Sequence, residues 1–227
     1  MGDVVVSGED VWKVYGKGET EVHALRGLNI EIRRGEMLAV MGPSGCGKTT
    51  FLNCFSGLDE ITRGRVTIDG VAVHELADQK KSDYRARRMG FVFQSYNLLP
   101  VFTAVENTEM PLLITGVPPK EARQRATQIL TELGLGDRID HVPAELSGGQ
   151  QQRVSLARAL VAHPAIVWAD EPTGNLDEEG SHQVTALLRD LNQRYHQTIV
   201  IVTHDPLVAK VCDRTLQMHD GQFVHPG

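Results

Sequence analysis

The sequence lacks a surplus of positive charge: 23 Lys and Arg stand against 29 Asp and Glu, a formal net charge of −6 in 227 residues. A chain that lives on duplex nucleic acid usually carries a basic excess, so nucleic acid is not an expected partner. Long apolar runs are missing too. Stretches such as Ala165–Ala169 and Ile199–Val202 fall far short of the ~18 residues a membrane helix needs. At the start, Met1-Gly2-Asp3-Val4 carries an acid where a secretory leader has basic residues, and Val6 stands where a myristoylation signal has Ser or Thr. Neither leader nor lipid anchor is expected. Only three cysteines are present, Cys46, Cys54 and Cys212, without metal-ligand spacing, as suits a reduced cytoplasmic protein. The nine histidines show no paired ligand spacing, so no zinc site is expected. Internal repeats, low-complexity tracts and flexible linkers are absent.

What is there is ordinary globular material. Apolar residues make up 41% and charged residues 23%, enough to bury a sizeable core. Short β-branched runs alternate with helical stretches. Strands are expected at Leu28–Ile32, Leu38–Met41, Arg65–Ile68, Gly90–Gln94, Ile166–Ala169, Thr198–Thr203 and Arg214–Met218. Several are almost wholly apolar, as strands buried on both faces are. Asp69-Gly70 and Asp220-Gly221 read as tight turns of hairpins at sheet edges. One mixed sheet follows, parallel at its centre and antiparallel at its margins. From Ala104 to Leu160 the strand signal disappears. A helix opens at Pro118-Pro119 with Ala122, Ala126, Ile129, Leu130 and Leu133 on one face and stops at Gly134; another opens near Ser147 and turns Val154, Ala157 and Val161 inward. The fold class is therefore α/β, with an all-helical insert.

Gly42-Pro43-Ser44-Gly45-Cys46-Gly47-Lys48-Thr49 follows an apolar strand and precedes a helix-like stretch, Thr50–Ser56. It matches G-x-x-x-x-G-K-[ST] in the strand–turn–helix setting a phosphate-binding P-loop requires. Glycines let the backbone curl its N–H groups around a phosphate, and the helix N-terminus adds positive potential. Lys48 would reach the β- and γ-phosphates; the Thr49 hydroxyl would ligate Mg²⁺. The apolar strand Ala165–Ala169 ends in Asp170-Glu171. Asp170 would hold the metal through water, and Glu171 would polarise a water attacking the γ-phosphate. By themselves the two acids would only cap a helix start before Pro172. Leu146-Ser147-Gly148-Gly149-Gln150 makes a capping box between Ser147 and Gln150. Two glycines in a first helical turn nevertheless cost about 1 kcal/mol each relative to Ala. They make sense if an anion approaches the bare N–H groups. The thiol of Cys46 is expected among the loop N–H groups beside Lys48, a setting that activates a cysteine.

Together, Gly42–Thr49, Leu146–Gln150 and Asp170-Glu171 resemble the nucleotide-binding subunit of an ABC (ATP-binding cassette) transporter, over essentially the whole chain. The resemblance implies a P-loop NTPase (RecA-like) core with a mixed sheet, an antiparallel β margin and an inserted α-helical subdomain. It implies one domain over 1–227, with the core at about 1–94 and 161–227 and the helical part at about 95–160. ATP and Mg²⁺ are the implied ligands. Gly42, Pro43, Ser44, Gly45, Cys46, Gly47, Lys48, Thr49 and Thr50 would line the phosphates, and Tyr15 would stack on adenine. Gln94 would contact Mg²⁺, the attacking water and the membrane partner. Gly174-Asn175-Leu176-Asp177 is similar to the D-loop, with Asp177 at the nucleotide, and His204 to the histidine that senses the γ-phosphate. Outside this company Tyr15 would be a strand aromatic and His204 part of a helix cap. Ser147, Gly148, Gly149 and Gln150 would close on the ATP of a second copy in a head-to-tail homodimer.

Within the family, Gly90–Pro100 and Ala169–Asp177 are most similar to the lipoprotein-release and macrolide-efflux class. That implies an ATPase on the cytoplasmic face of the membrane, held there by a separate integral permease that exports or transmits force. Soluble ABC ATPases of DNA repair or translation are the competing reading. Against it, Lys48 and Ser147 are only 99 positions apart, with no coiled-coil heptads between them, and one cassette is present. A nucleotide-binding protein without turnover is disfavoured by Asp170, Glu171 and His204. The basic cluster Lys80, Lys81, Arg85, Arg87 and Arg88 is expected on a solvated helix face.

Overall fold

The computed structural model describes residues 3–224; Met1 and Gly2, part of the start considered above, lie outside them. Ten strands form two sheets. Strands β1 (Val4–Tyr15), β2 (Val22–Arg33), β4 (Arg63–Ile68) and β5 (Val71–Ala72) make a four-stranded antiparallel sheet in the order β2-β1-β4-β5. A second, six-stranded sheet runs β10-β9-β3-β8-β7-β6, built from β3 (Met37–Met41), β6 (Met89–Phe93), β7 (Ile166–Asp170), β8 (Thr198–Thr203), β9 (Arg214–His219) and β10 (Gln222–Val224). In it β9, β3, β8, β7 and β6 are parallel and β10 alone is antiparallel. The single mixed sheet expected from sequence is thus two sheets. The Asp220-Gly221 turn does edge the parallel sheet, but Asp69-Gly70 joins β4 to β5 in the other one. Turn chemistry reveals a hairpin; it does not say which sheet the hairpin enters.

Helix α1 (Lys48–Phe55) lies between the two sheets. Its Phe51, Leu52 and Phe55 share one apolar cluster with Trp168 and Val200 of the parallel sheet and Val6 and Ile68 of the antiparallel one. Each such side chain contributes about 2 kcal/mol through burial. Gly8 in β1 makes this packing possible, since a Cβ there would stand 2.4 Å from the Phe55 ring. On the other face of the parallel sheet sit α3 (Ala104–Ile114), α4 (Pro119–Glu132), α5 (Gly148–Leu160) and α6 (Glu178–Tyr195), where Leu112, Leu130, Val154 and Leu188 meet Val167 and Ile201. Between β6 and β7 the chain is all helix and loop. Two short helices complete the described chain, α2 (Asp78–Arg88) and α7 (Pro206–Lys210).

Strand β1 escaped the sequence reading. Its register slips between Gly8 and Val11, where Asp10 takes a left-handed φ of 46°, so the two-residue alternation breaks halfway. Helix α3 was equally hidden, with Pro111 inside it. The basic stretch of α2 keeps Lys80, Arg87 and Arg88 on an exposed face, as expected, while Lys81 is buried and pairs with Glu60. Arg85 donates to the Gly57 carbonyl, Arg87 pairs with Asp83 one turn away, and Arg88 with Asp69.

Candidate functional site

The site grows from the ends of three adjacent parallel strands. Strand β3 delivers the loop Gly42–Gly47, which turns directly into α1. Gly47 caps that helix with φ 107°, and a Cβ on it would stand 2.6 Å from the Ala24 carbonyl, so no other residue fits without moving β2. The Lys48 ammonium folds back over the loop, donating to the carbonyls of Gly42 at 2.7 Å and Pro43 at 3.0 Å. Gly45, Cys46, Gly47, Lys48, Thr49 and Thr50 line a depression of about 440 Å³ together with Tyr15. Pro43 and Ser44 belong to the same loop turn, where the Cys46 N–H donates to the Pro43 carbonyl.

Strand β7 carries the acids. Asp170 pairs with Phe93 across to β6 and with Val202 across to β8. Its Oδ1 accepts the Thr49 hydroxyl at 3.4 Å, tying the β7 end to the P-loop. Burial and the neighbouring Glu171 charge push the Asp170 carboxyl above its usual value, against the pull of Thr49 and Lys48. Glu171 leaves the strand with a left-handed φ of 45°, anchored by its N–H on the Val202 carbonyl. Strained backbone of this kind collects at functional sites. The side chain is 16% exposed. Its Oε2 accepts the Thr203 hydroxyl at 3.0 Å and the His204 N–H at 3.3 Å, while Oε1 lies 2.9 Å from His204 Nδ1. With the proton on Nδ1, His204 donates to the carboxylate and keeps Nε2 free. The histidine ring is 71% exposed, so it fences the open side. Capping is the task of its neighbour Asp205, which accepts the Leu207 N–H of α7.

Gln94 is the first residue past β6, which ends one position before the strand end expected from sequence. Its side-chain amide donates to Asn175 Oδ1 at 3.3 Å, and the Asn175 amide donates to the Gln94 backbone carbonyl at 3.0 Å. Asp177 is the N-cap of α6 and accepts the Gly180 N–H at 2.9 Å. Ser147, Gly148, Gly149 and Gln150 open α5 with the expected capping box, Gln150 N–H to Ser147 Oγ at 3.3 Å and Ser147 N–H to Gln150 Oε1 at 2.9 Å. These four are not among the residues lining the depression at the P-loop. A Cβ on Gly148 would touch the Tyr96 hydroxyl at 3.0 Å, whereas one on Gly149 would meet nothing within 4 Å.

Cys46 is only 5% exposed and belongs to the apolar cluster under the loop, with Met218, while it also lines the depression. Sequence reasoning missed Thr203, which holds Glu171, and Asn175, which holds Gln94. Position supplied a signal for both: Thr203 directly precedes His204, and Asn175 lies within the D-loop-like segment.

The residues present fit a magnesium ion. A hydroxyl and a part-buried carboxylate face one another, both hard oxygen donors. Among the described residues no group of three or more His, Cys, Asp or Glu converges on a point. A cation here takes most of its ligands from water and phosphate, as Mg²⁺ does.

Comparison with known proteins gives concordant results. A family model described as "ABC transporter" matches residues 25–174. A lipoprotein-releasing system ATP-binding protein, LolD of Alcanivorax borkumensis, is 47% identical over 217 residues, spanning 96% of this chain and 95% of its own. The macrolide export ATP-binding/permease protein MacB of Marinobacter nauticus is 47% identical over 216 residues, which are 95% of this chain but 33% of MacB. Among solved structures, the dimeric post-hydrolysis state of the ATP-binding cassette MJ0796 bound to ADP and Pi superposes with a TM-score of 0.88. It is 41% identical and covered over 97% of both chains.

Proposed function

The chain belongs to the ABC transporter family, as an ATP-hydrolysing subunit of the LolD/MacB type, and from that premise we propose that two copies clasp ATP head to tail and drive a separate membrane permease. The chain binds ATP and hydrolyses it. In the proposed site, the loop N–H groups and Lys48 hold the β- and γ-phosphates, Lys48 exchanging the Gly42 and Pro43 carbonyls for phosphate oxygens. Thr49 would hold Mg²⁺ directly, Asp170 through water, and Gln94 from the neighbouring strand end. Bound there, Mg²⁺ neutralises charge on the phosphate oxygens. Glu171, fixed by Thr203 and His204, accepts the proton of the water that attacks the γ-phosphorus. Its carboxylate can do this without searching rotamers, because both oxygens are already engaged. His204 turns Nε2 toward the γ-phosphate. Tyr15 offers a ring for the adenine, and Asp177 lies at the nucleotide edge shared with the second copy.

Gly149 supports the dimer most directly. Among the described residues nothing beyond its own chain neighbours and helix backbone comes within 4 Å of where its Cβ would be, so its bareness serves no internal packing. A helix tip with free N–H groups complements a phosphate held elsewhere. A further surface fits a permease segment: Phe91, Phe93, Met110, Pro111 and Ile114 line a groove of about 370 Å³ rimmed by Arg85 and Arg158, with Ile114 69% exposed. Among the described residues no helix is long and apolar enough to cross a membrane. Membrane attachment is accordingly assigned to the permease, on the cytoplasmic face, in a system that exports or transmits force. The RecA-like core at about 1–94 and 161–227 and the helical arm at about 95–160 are the two parts that move together on closure.

Mixing two crippled variants tests the pairing. Lys48→Ala spoils the cradle and Gly149→Asp spoils the tip, so each alone should be inactive in phosphate release. In a mixture, one cradle and one tip remain intact and face each other only in a head-to-tail dimer. Recovery of turnover on mixing is the expected result; a mixture as inactive as its components overturns the arrangement.

A further inference from the structure

Beside the P-loop lies a polar cluster that the chemistry above does not use. Lys13, on β1, is a lysine only 8% exposed. Its ammonium donates to Asp59 Oδ1 at 2.7 Å and to the Glu60 carbonyl at 2.6 Å. The same ammonium stands 4.6 Å from the centre of the Tyr15 ring, covering one of its faces. The second oxygen of the same carboxylate, Asp59 Oδ2, accepts the Tyr15 hydroxyl at 2.6 Å. Asp59 is in turn fixed by the Asn53 carbonyl, which accepts its N–H at 3.1 Å from inside α1. Asp59 thus joins the P-loop helix through its backbone and the buried cation and the aromatic ring through its carboxylate.

Tyr15 needs such a clamp. It is the last residue of β1, followed by Gly16 with φ 80°, and strand pairing stops there. An unclamped ring at a frayed strand end samples several rotamers, and ordering it on binding would cost affinity. Here the hydroxyl is pinned and one face is blocked. The ring is still 41% exposed and lines the depression formed by Gly45–Thr50. Only the face turned to that depression is left for a planar partner.

We propose that Asp59 and Lys13 are positioning residues for the nucleotide base: together they present one chosen face of the Tyr15 ring to the aromatic base of the nucleotide. This rests on the reading of Tyr15 as the base platform. The phenol's ionisation agrees with the geometry, since burial, and then the bond to the Asp59 carboxylate, push it up to about 12. The clamp acts on the base alone, because neither Asp59 nor Lys13 lines the depression in which the phosphates are held.

Equilibrium binding of ATP and of inorganic tripolyphosphate, which has phosphates but no base, separates the possibilities. Tyr15→Ala should weaken ATP about twentyfold. Tyr15→Phe keeps the ring and loses only the bond to Asp59; it and Asp59→Asn should each weaken ATP about fivefold. The double variant should be no worse than either single one. Tripolyphosphate affinity should stay at its wild-type value in each variant, and in Asp59→Asn so should kcat at saturating ATP. Equal loss of ATP and tripolyphosphate binding in Asp59→Asn would mean general damage to the loop and overturns the proposal. So does an Asp59→Asn effect that persists undiminished in the Tyr15→Phe background, or no effect from either conservative variant. If Tyr15→Ala itself leaves ATP binding unchanged, the base-platform reading falls first and the clamp falls with it.

Discussion

The two ends of this chain that face phosphate are built on opposite plans. At the P-loop, the side chains assigned to the chemistry already have internal partners: Lys48 rests on loop carbonyls, Thr49 on Asp170, and Glu171 on Thr203 and His204. At the start of α5, the cap satisfies itself through Ser147 and Gln150 and leaves Gly149 facing empty space. One end is preorganised for chemistry and the other is prepared for contact. The difference teaches that the groups proposed for hydrolysis assemble within one copy, and it is the proposed head-to-tail pairing that would leave closure over the nucleotide to another. Preorganised donors and carboxylates act without reorganising at the moment of reaction, which is why they can wait in that state.

The contrast can be broken at either end. Glu171→Gln removes the proton acceptor and keeps the hydrogen-bonding shape, so ATP hydrolysis should fall about a thousandfold while ATP affinity is retained. Phosphate release together with nucleotide binding checks this; turnover near the wild-type rate would show that the preorganised end is not where the water is activated. At the contact end, Gly149→Ala should lower turnover about a hundredfold by pushing a methyl group between the tip and its phosphate. The same change should raise the unfolding free energy by up to about 1 kcal/mol, since Ala is the better helix residue. A variant less stable than wild type in denaturant titration would mean that this chain itself needs the glycine. The smallest effect is expected at Asp170, where the two plans differ in electrostatic cost. Its folded-state pKa is raised above the usual carboxylate value by burial and by Glu171. The ionised group therefore destabilises the fold by an amount absent below the unfolded value and fully developed above the folded one. Without nucleotide or metal, Asp170→Asn should raise Tm by about 2 °C at pH 7–8 and lose that advantage as the solution is acidified below pH 4. A constant difference across that range would exclude the charge as its cause.

Legibility from sequence was uneven, for physical reasons that can be assigned residue by residue. Strand β8 was found to the residue because Thr198–Thr203 is buried along its whole length, and a run with no wet face needs no alternation to be seen. The cap of α5 was equally plain, since Ser147 and Gln150 bond to positions three residues away. Strand β1 was missed because its bulge at Asp10 destroys the period, and its membership of a separate sheet rests on pairing with β4 some fifty positions later. Within the largely solvated basic stretch of α2, Lys81 departs from expectation for a related reason. Composition reports that Lys81 and Arg88 are charged, but Glu60 and Asp69 reach them only through folding. The packing of Cys46 into the apolar cluster was not legible, because a motif fixes backbone and spacing and leaves open which side chains turn inward.

Chemistry confined to a few consecutive residues was readable in the linear chain: the phosphate loop, the glycine-lined helix cap and the acid pair at a strand end each carry their own local geometry. Grouping Glu171 with Thr203 and His204, and Tyr15 with Lys13 and Asp59, required the fold. Hydrogen bonds of that kind join residues more than thirty positions apart, and only tertiary packing, of strand on strand for Glu171 and of the loop after α1 against β1 for Asp59, brings such residues within about 3 Å.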